Sequence, residues 1–148
     1  MKTGSAIPIL LSILNIVSIN GYTCTAFCIH KNKQMVLAKN LDWYINDGYV
    51  ILNTKNRNKE ALVKTNKKIS WISKYMSITF NQFGNEFPLG GMNEKGLVIE
   101  ELSTLKNNIP TDSTKYSLNE FQWIQYLLDN CSCVNEVNDV LHKIQIEK

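Results

Sequence analysis

The spacing of apolar residues changes once along this chain, and that change constrains the fold more than any other feature of the sequence. Short apolar runs separated by polar turns occupy residues 25–102, a pattern typical of β-strands joined by hairpins and loops. From residue 117 onward the apolar residues recur at helical spacing. Strands followed by helices predict an α+β layered fold, and since no repeat or linker divides the sequence, a single domain is expected.

The first part of the chain is predicted to contain five strands. They are Thr25–Ile29, Met35–Lys39, Tyr49–Asn53, Ser77–Asn81 and Leu97–Leu102. The first two flank a polar connector and form a hairpin, whereas the last follows a glycine-rich bend and a polar turn. We expect these strands to be consecutive in one antiparallel sheet. The lysine-rich stretch 54–68 has no clear period and is predicted to be a long, solvated connection.

The second part is predicted to contain two helices. Ser117–Asp129 carries apolar residues at helical spacing, and Ser117 followed three residues later by Glu120 matches a capping box. A shorter helix is predicted at Val134–His142. The final KIQIEK has the pattern of a strand that is cut off as it begins, so we expect the sequence to be truncated at its C-terminus.

Residues 1–23 differ from the rest of the chain and have the features of a signal peptide. Lys2 supplies a positive charge, and Ala6–Ile19 is an apolar run broken by polar residues and a proline. A membrane span normally needs about 20 predominantly apolar residues, and this run is shorter. We therefore expect a secreted or periplasmic protein with no stable membrane span after processing. An uncleaved membrane anchor is the less favoured alternative.

The net charge of the chain points to no particular macromolecular partner. The sequence has 16 Lys+Arg and 13 Asp+Glu, and since one lysine lies in the leader, the mature chain carries a charge near +2. The lysine cluster between residues 55 and 74 has no pattern of base-stacking aromatic residues, so no nucleic-acid partner is expected. The sequence is compatible with a homo-oligomer.

The four cysteines suggest disulfides, because the chain is expected to be exported. Three pairings are open, and Cys131 and Cys133 are not obvious partners of each other, since only one residue separates them. His30 and His142 are isolated and give no Cys/His spacing typical of a zinc site. We expect no metal and no other cofactor.

Cys24 is the candidate nucleophile because of its position directly after the leader. If processing removes residues 1–23, Cys24 carries both a thiol and the free α-amine. An α-amine has an unperturbed pKa of about 7.7–8.0, so near neutral pH much of it can accept the thiol proton. Such an N-terminal nucleophile can attack an amide carbonyl, form a thioester and then activate water. The alternative is a structural cysteine bonded in a disulfide.

Two charged residues lie where the second predicted strand ends, in the stretch AKNLDW. In a tight hairpin Lys39 and Asp42 can lie near Cys24. Asp42 could accept a hydrogen bond from the α-ammonium, whereas Lys39 could favour the thiolate electrostatically or hold an anionic group. An ordinary surface salt bridge between the two is the alternative.

Several stretches together resemble the choloylglycine hydrolase family, which includes bile salt hydrolases and penicillin V acylases. They are Cys24-Thr25 followed by KNLDW, then GGMNEKGLVIEEL, and later LNEFQWIQYLLDNCSCVNEV. The resemblance implies the N-terminal nucleophile hydrolase fold, an αββα sandwich with two antiparallel sheets between helical layers. Residues 24–148 would form the N-terminal portion of that domain.

The resemblance also implies roles for particular residues. Cys24 would be the nucleophile and Asp42 a catalytic partner. Lys39 stands where family members commonly have arginine, and lysine keeps the charge but loses the planar two-pronged donor. Ser103 stands where bile salt hydrolases have an oxyanion-hole asparagine. Asn93 belongs to the turn motif MNEKGL and is expected to be structural.

The expected function is hydrolysis of a linear carbon–nitrogen amide bond by thiol chemistry. The substrate would be a small molecule: a bile salt conjugate, a penicillin V-like compound, an N-acyl lactone or a peptide-like amide. Two alternatives stay open. One is a hydrolase like the acid ceramidases and N-acylethanolamine amidases, and the other is a catalytically inactive exported module.

Overall fold

The structure is a computed structural model that describes residues 24–147 apart from 33, 44, 46, 66 and 103–111. The predicted signal peptide therefore lies outside the described residues. In chain order the strands are β1 Thr25–Lys31, β2 Gln34–Asn40, β3 Tyr49–Asn53, β4 Asn58–Glu60, β5 Ser70–Ile72, β6 Ser77–Asn81, β7 Pro88–Asn93, β8 Val98–Glu100, β9 Tyr116–Asn119 and β10 Ile144–Glu147. A 3₁₀ turn at Glu120–Gln122 leads into helix α1 (Trp123–Asn130), and helix α2 (Val134–Leu141) precedes β10.

The central element is a four-stranded antiparallel sheet in the order β3-β6-β7-β8. The inward-pointing positions of β6 are polar: Ser77, Thr79 and Asn81 are all buried. Helix α1 contacts β7 and β8. The opposite face carries exposed apolar residues, among them Val50 and Phe80. The buried side chains of β6 are thus polar and its outward side chains, Ile78 and Phe80, are apolar, the reverse of the usual arrangement.

Helix α1 lies between two small apolar clusters. One contains Ala61, Trp71, Leu118 and Ile144, and the other contains Leu97, Leu127 and Cys131. Trp123 and Tyr126 pack against both clusters. This helix therefore joins the four-stranded sheet to the strand pairs β4-β5 and β9-β10. Within the described residues, no helix is long and apolar enough to cross a membrane.

The β1-β2 hairpin is confirmed, but the expectation of one consecutive sheet is wrong. Among the described strands, β1 and β2 pair only with each other, from Thr25↔Asn40 to Lys31↔Gln34. β3 pairs with β6 instead of β2. The predicted glycine-rich bend is also wrong, because Gly90 and Gly91 lie inside strand β7. There Gly91 allows β7 to lie close to the Ile78 carbonyl of β6, where a Cβ atom would collide.

The predicted start of the first helix is wrong as well. Ser117 lies in β9, which pairs in parallel with β10, and its N–H donates to the Lys67 carbonyl at 2.9 Å. The residue that caps the turn before α1 is Asn119, whose Oδ1 accepts a hydrogen bond from the Phe121 N–H at 2.9 Å. The predicted second helix and the final strand are confirmed as α2 and β10.

The lysine-rich stretch is not wholly a solvated connection. It contains β4, which pairs with β5. The side chain of Lys59 on β4 is buried, and its Nζ lies 3.0 Å from Oδ2 of the buried Asp129. Periodicity could not reveal this contact because the two residues come from distant parts of the chain.

Candidate active site

Cys24 lies in the wall of an open cavity of about 570 Å³. Apolar and aromatic side chains form much of the described wall; they include Leu41, Phe83, Leu89, Phe121, Trp123 and Ile124. The charged residues of the described wall are Glu100, Glu101 and Glu120. A partly apolar cavity with a thiol in its wall has the general character of a site for a small organic molecule.

The β1-β2 hairpin determines the position of Cys24. The register pairs Thr25 with Asn40, so Cys24 and Leu41 face each other one step beyond the last strand pair. Both residues line the cavity. The side chain of Cys24 is half-buried, and the residue carries a free thiol. The nucleophile predicted from the sequence is therefore held at the open end of a hairpin, where a ligand in the cavity can contact it.

The other three cysteines are also free thiols, so the disulfides expected from the sequence are not formed. Cys28 and Cys133 are exposed, whereas Cys131 is buried at the end of α1. Burial raises the pKa of the Cys131 thiol to about 11. Cys131 packs in the core and is removed from the cavity that contains Cys24.

Lys39 joins the hairpin to the four-stranded sheet. Its Nζ donates a hydrogen bond to the Leu89 carbonyl at 2.8 Å and lies 3.3 Å from Oε2 of Glu100. The Lys39 side chain is 10% exposed and the Glu100 side chain 14% exposed, so the ion pair is largely shielded from water. Lys39 therefore contacts two residues of the cavity wall, Leu89 and Glu100, and its positive charge is paired with the Glu100 carboxylate.

The carboxyl group of Glu100 lies in space that is open because residue 90 is a glycine. It pairs with Gly90 across β7 and β8, and a Cβ atom at Gly90 would overlap the Glu100 carboxylate. Burial raises the pKa of Glu100, and the attraction of Lys39 only partly offsets this. The Glu100 carboxyl group thus lies over the backbone of β7 at Gly90.

Asp42 lies just beyond the end of β2 and is half-buried. Its Oδ1 accepts a hydrogen bond from Nδ2 of Asn40 at 3.0 Å. Within the described wall, the neighbouring Leu41 and Trp43 line the cavity, but Asp42 does not. Of the predicted site residues that the structure describes, Cys24 thus lines the cavity, whereas Lys39 and Asp42 do not; Lys39 instead contacts two wall residues, Leu89 and Glu100. The predicted Ser103 lies outside the described residues, although Leu102 before it lines the cavity.

Asn93 is a structural residue, as expected. It is buried, and its Nδ2 donates to the carbonyls of Leu128 at 2.9 Å and Cys131 at 2.7 Å. Its Oδ1 accepts hydrogen bonds from the N–H groups of Lys95 and Leu97. Asn93 therefore closes the turn between β7 and β8 and attaches it to the end of α1.

Gln82 and Glu120 are polar residues of the wall that the sequence did not predict to lie there. Gln82 directs Nε2 to the Ile45 carbonyl, and its Oε1 is buried with no hydrogen-bond partner among the described residues. Glu120, which the sequence predicts to complete a capping box, lines the cavity. No local pattern at either position indicates a cavity, because the tertiary fold alone brings both residues into the wall that contains Cys24.

Comparisons with known proteins bear on the family and the fold of the chain. Residues 24–148 match the family model of linear amide C–N hydrolases of the choloylglycine hydrolase family. No match was found among curated proteins. Penicillin V acylase from Agrobacterium tumefaciens superposes with a TM-score of 0.71 at 25% identity, covering 85% of this chain and 40% of that chain.

A mutant of the conjugated bile acid hydrolase from Clostridium perfringens is also similar, with a TM-score of 0.64 at 21% identity, covering 84% of this chain and 39% of that chain. The chain thus spans about 40% of the length of these two structures. Its fold is that of part of an α+β N-terminal nucleophile hydrolase. The chain belongs to the choloylglycine hydrolase family of linear amide C–N hydrolases.

Proposed function

We propose that this protein is an exported hydrolase that cleaves an N-acyl amide with Cys24 as its N-terminal nucleophile. The observation that carries the proposal is the position of the Cys24 thiol in the wall of the cavity. The start of the family match at residue 24 supports it further, because the match begins with the cysteine itself. Removal of residues 1–23 would then create the α-amine that the chemistry requires.

The reaction has two halves. The α-amine of Cys24 takes the thiol proton, and the sulfur attacks the carbonyl carbon of the amide. The C–N bond breaks as the amine leaves with that proton, which leaves a thioester on Cys24. The α-amine then takes a proton from water, hydroxide attacks the thioester carbonyl, and the C–S bond breaks. The acid departs and the thiol is regenerated with the proton held by the α-amine.

The wall residues favour a particular kind of substrate. Phe83, Phe121 and Trp123 offer aromatic surface to an apolar acyl group. Glu101 and Glu120 are exposed carboxylates in the same wall, and Lys39 is already paired with Glu100. A negative charge on the substrate would be repelled. We therefore infer an apolar N-acyl amide whose amine portion carries no carboxylate, rather than a bile salt conjugate or penicillin V.

The nucleophile is tested by mass spectrometry of protein exported from cells that express the whole sequence. The expected mass corresponds to a chain that begins at Cys24. Incubation with an N-phenoxyacetyl amide should add one acyl group, located on Cys24. Cys24→Ser should abolish hydrolysis, whereas Cys28→Ser, which changes an exposed thiol of the same hairpin, should retain it. A different N-terminus, or hydrolysis retained by Cys24→Ser, would overturn the proposal.

The substrate class is tested with two compounds that differ in one charge. N-phenoxyacetylglycinamide should be hydrolysed about tenfold or more faster than N-phenoxyacetylglycine. The double variant Glu101→Gln/Glu120→Gln should reduce that preference. A faster reaction of the carboxylate compound would contradict the inference, and hydrolysis restricted to long-chain acyl amides would favour the ceramidase-like alternative.

A further inference from the structure

Lys39 provides the polar side-chain contacts that join the β1-β2 hairpin to the four-stranded sheet, as far as the described residues show. We propose that Glu100 is a positioning residue, which holds the Cys24 hairpin against the sheet through Lys39. The proposal rests on the function proposed above, because it assigns the pair to the placement of the nucleophile. Under this proposal Lys39 holds the hairpin against the sheet. Its charge is already paired with Glu100 and does not bind a substrate anion.

The two contacts of Lys39 reach adjacent strands. Leu89 on β7 supplies the carbonyl at 2.8 Å, and Glu100 on β8 supplies the carboxylate at 3.3 Å. Leu89 immediately precedes Gly90, which is the residue that pairs with Glu100. The ammonium group of Lys39 therefore contacts both strands at one point of the sheet, and each contact depends on the position of its own strand.

The register connects this point to the nucleophile. Lys39 pairs with Ala26, and Cys24 lies two residues before Ala26. Side chains two residues apart on a strand point to the same face, and continuing this alternation one residue before β1 places Cys24 on the same side of the hairpin as Lys39. Leu89 and Glu100 line the cavity together with Cys24. Loss of the Lys39 contact would therefore change the position of the Cys24 thiol relative to Leu89 and Glu100 in the cavity wall.

Gly90 is the third residue on which the contact between Lys39 and Glu100 depends. The outer face of the sheet places Phe80, Gly90 and Glu100 in one row across β6, β7 and β8. Because Gly90 has no side chain, the Glu100 carboxylate can lie over β7, where Lys39 reaches it. A methyl group at residue 90 would displace the carboxylate without removing any charge. Gly90→Ala is therefore an independent way to break the contact.

The test combines hydrogen exchange with the rate of Cys24 acylation. In Glu100→Gln and in Gly90→Ala, amides of residues 25–40 should exchange about tenfold or more faster, with those of β6 and β7 little changed. The acylation rate should fall about tenfold or more with little change in KM, because the nucleophile is misplaced while the cavity is retained. The control is Glu94→Gln, which breaks the exposed Lys55–Glu94 pair at the β7-β8 turn and should change neither quantity.

Several results would overturn the proposal. One is hairpin exchange in Glu100→Gln within twofold of the wild-type rate. Another is exchange accelerated equally in all sheets, which would indicate general destabilisation. A loosened hairpin with an unchanged acylation rate, or faster hydrolysis of an anionic substrate by Glu100→Gln, would show that Glu100 does not position the thiol. A wild-type protein that is never acylated on Cys24 would instead overturn the proposed function, while hydrogen exchange would still measure the docking contact.

Discussion

Lys59 and Asp129 form a buried ion pair that attaches strand β4 to the end of helix α1. The Lys59 Nζ lies 3.0 Å from Asp129 Oδ2, and the two side chains are 6% and 0% exposed. The same carboxylate accepts hydrogen bonds from Trp71 Nε1 and Gln125 Nε2, each at 2.8 Å. Removing one ion of such a pair costs more than the pair contributes, because the remaining charge stays buried without compensation.

We therefore expect Lys59→Met to lower the free energy of unfolding by about 3–5 kcal/mol, since it leaves the Asp129 carboxylate without its cation. Lys68→Met is the matched control, because Lys68 pairs with Glu60 at 2.9 Å but both side chains are exposed. That change should cost at most about 1 kcal/mol. Urea unfolding followed by tryptophan fluorescence measures both, and equal effects would contradict the structural role of the buried pair.

The sequence predicted elements whose signals are local and missed those that depend on distant partners. The β1-β2 hairpin and helix α2 follow from alternation and helical spacing within a few residues. Ser117 has a capping pattern, but a parallel pairing with Gln145 places it in a strand. Gly90 suggests a bend, but it is required by the Glu100 carboxylate across the sheet. A local motif marks Cys24 as the candidate nucleophile. The Lys39–Glu100 contact has no such signal, because only the fold brings these two residues together.

Asn93→Ala should destabilise the protein more than an ordinary polar substitution. The change removes two donors to the carbonyls of Leu128 and Cys131 and one acceptor for two backbone N–H groups. We expect a loss of about 3 kcal/mol, because each buried polar group left unpaired costs on the order of 1–3 kcal/mol. Asn135→Ala on the exposed surface of α2 should change stability by about 0.5 kcal/mol or less. Similar urea midpoints for the two variants would contradict this account of the turn.

The cysteines should differ in their reactivity toward iodoacetamide. Cys131 is buried and has a pKa of about 11, so at pH 8 about one thiol in a thousand is ionised. Cys133 is exposed. Labelling of native protein, followed by digestion and mass spectrometry, should show Cys131 reacting about a hundredfold or more slowly than Cys133. The difference should disappear in urea, and equally fast labelling of both residues in the native protein would contradict the burial of Cys131.

Glu136 should make the stability of the protein depend on pH in the acidic range. Its carboxylate accepts a hydrogen bond from the Ser132 N–H at 2.6 Å, just before α2 begins. That bond, with a second from the Ser132 hydroxyl and the attraction of Lys74, lowers the pKa of Glu136 below its usual 4.5. A lowered carboxyl pKa contributes stability that is present above the unfolded-state pKa and is lost as the pH falls through the folded-state pKa.

Glu136→Gln should therefore lose less stability than the wild type when the pH falls below about 4.5, because the variant has no carboxylate to protonate at this position. Thermal unfolding followed by circular dichroism between pH 6 and pH 3, conditions that span the usual carboxyl range, measures the slope of Tm against pH. Asn135→Ala is the control for the same helix, since it changes no titratable group and should keep the wild-type slope. A Glu136→Gln curve parallel to that of the wild type would show that the Ser132 contact does not stabilise the start of α2.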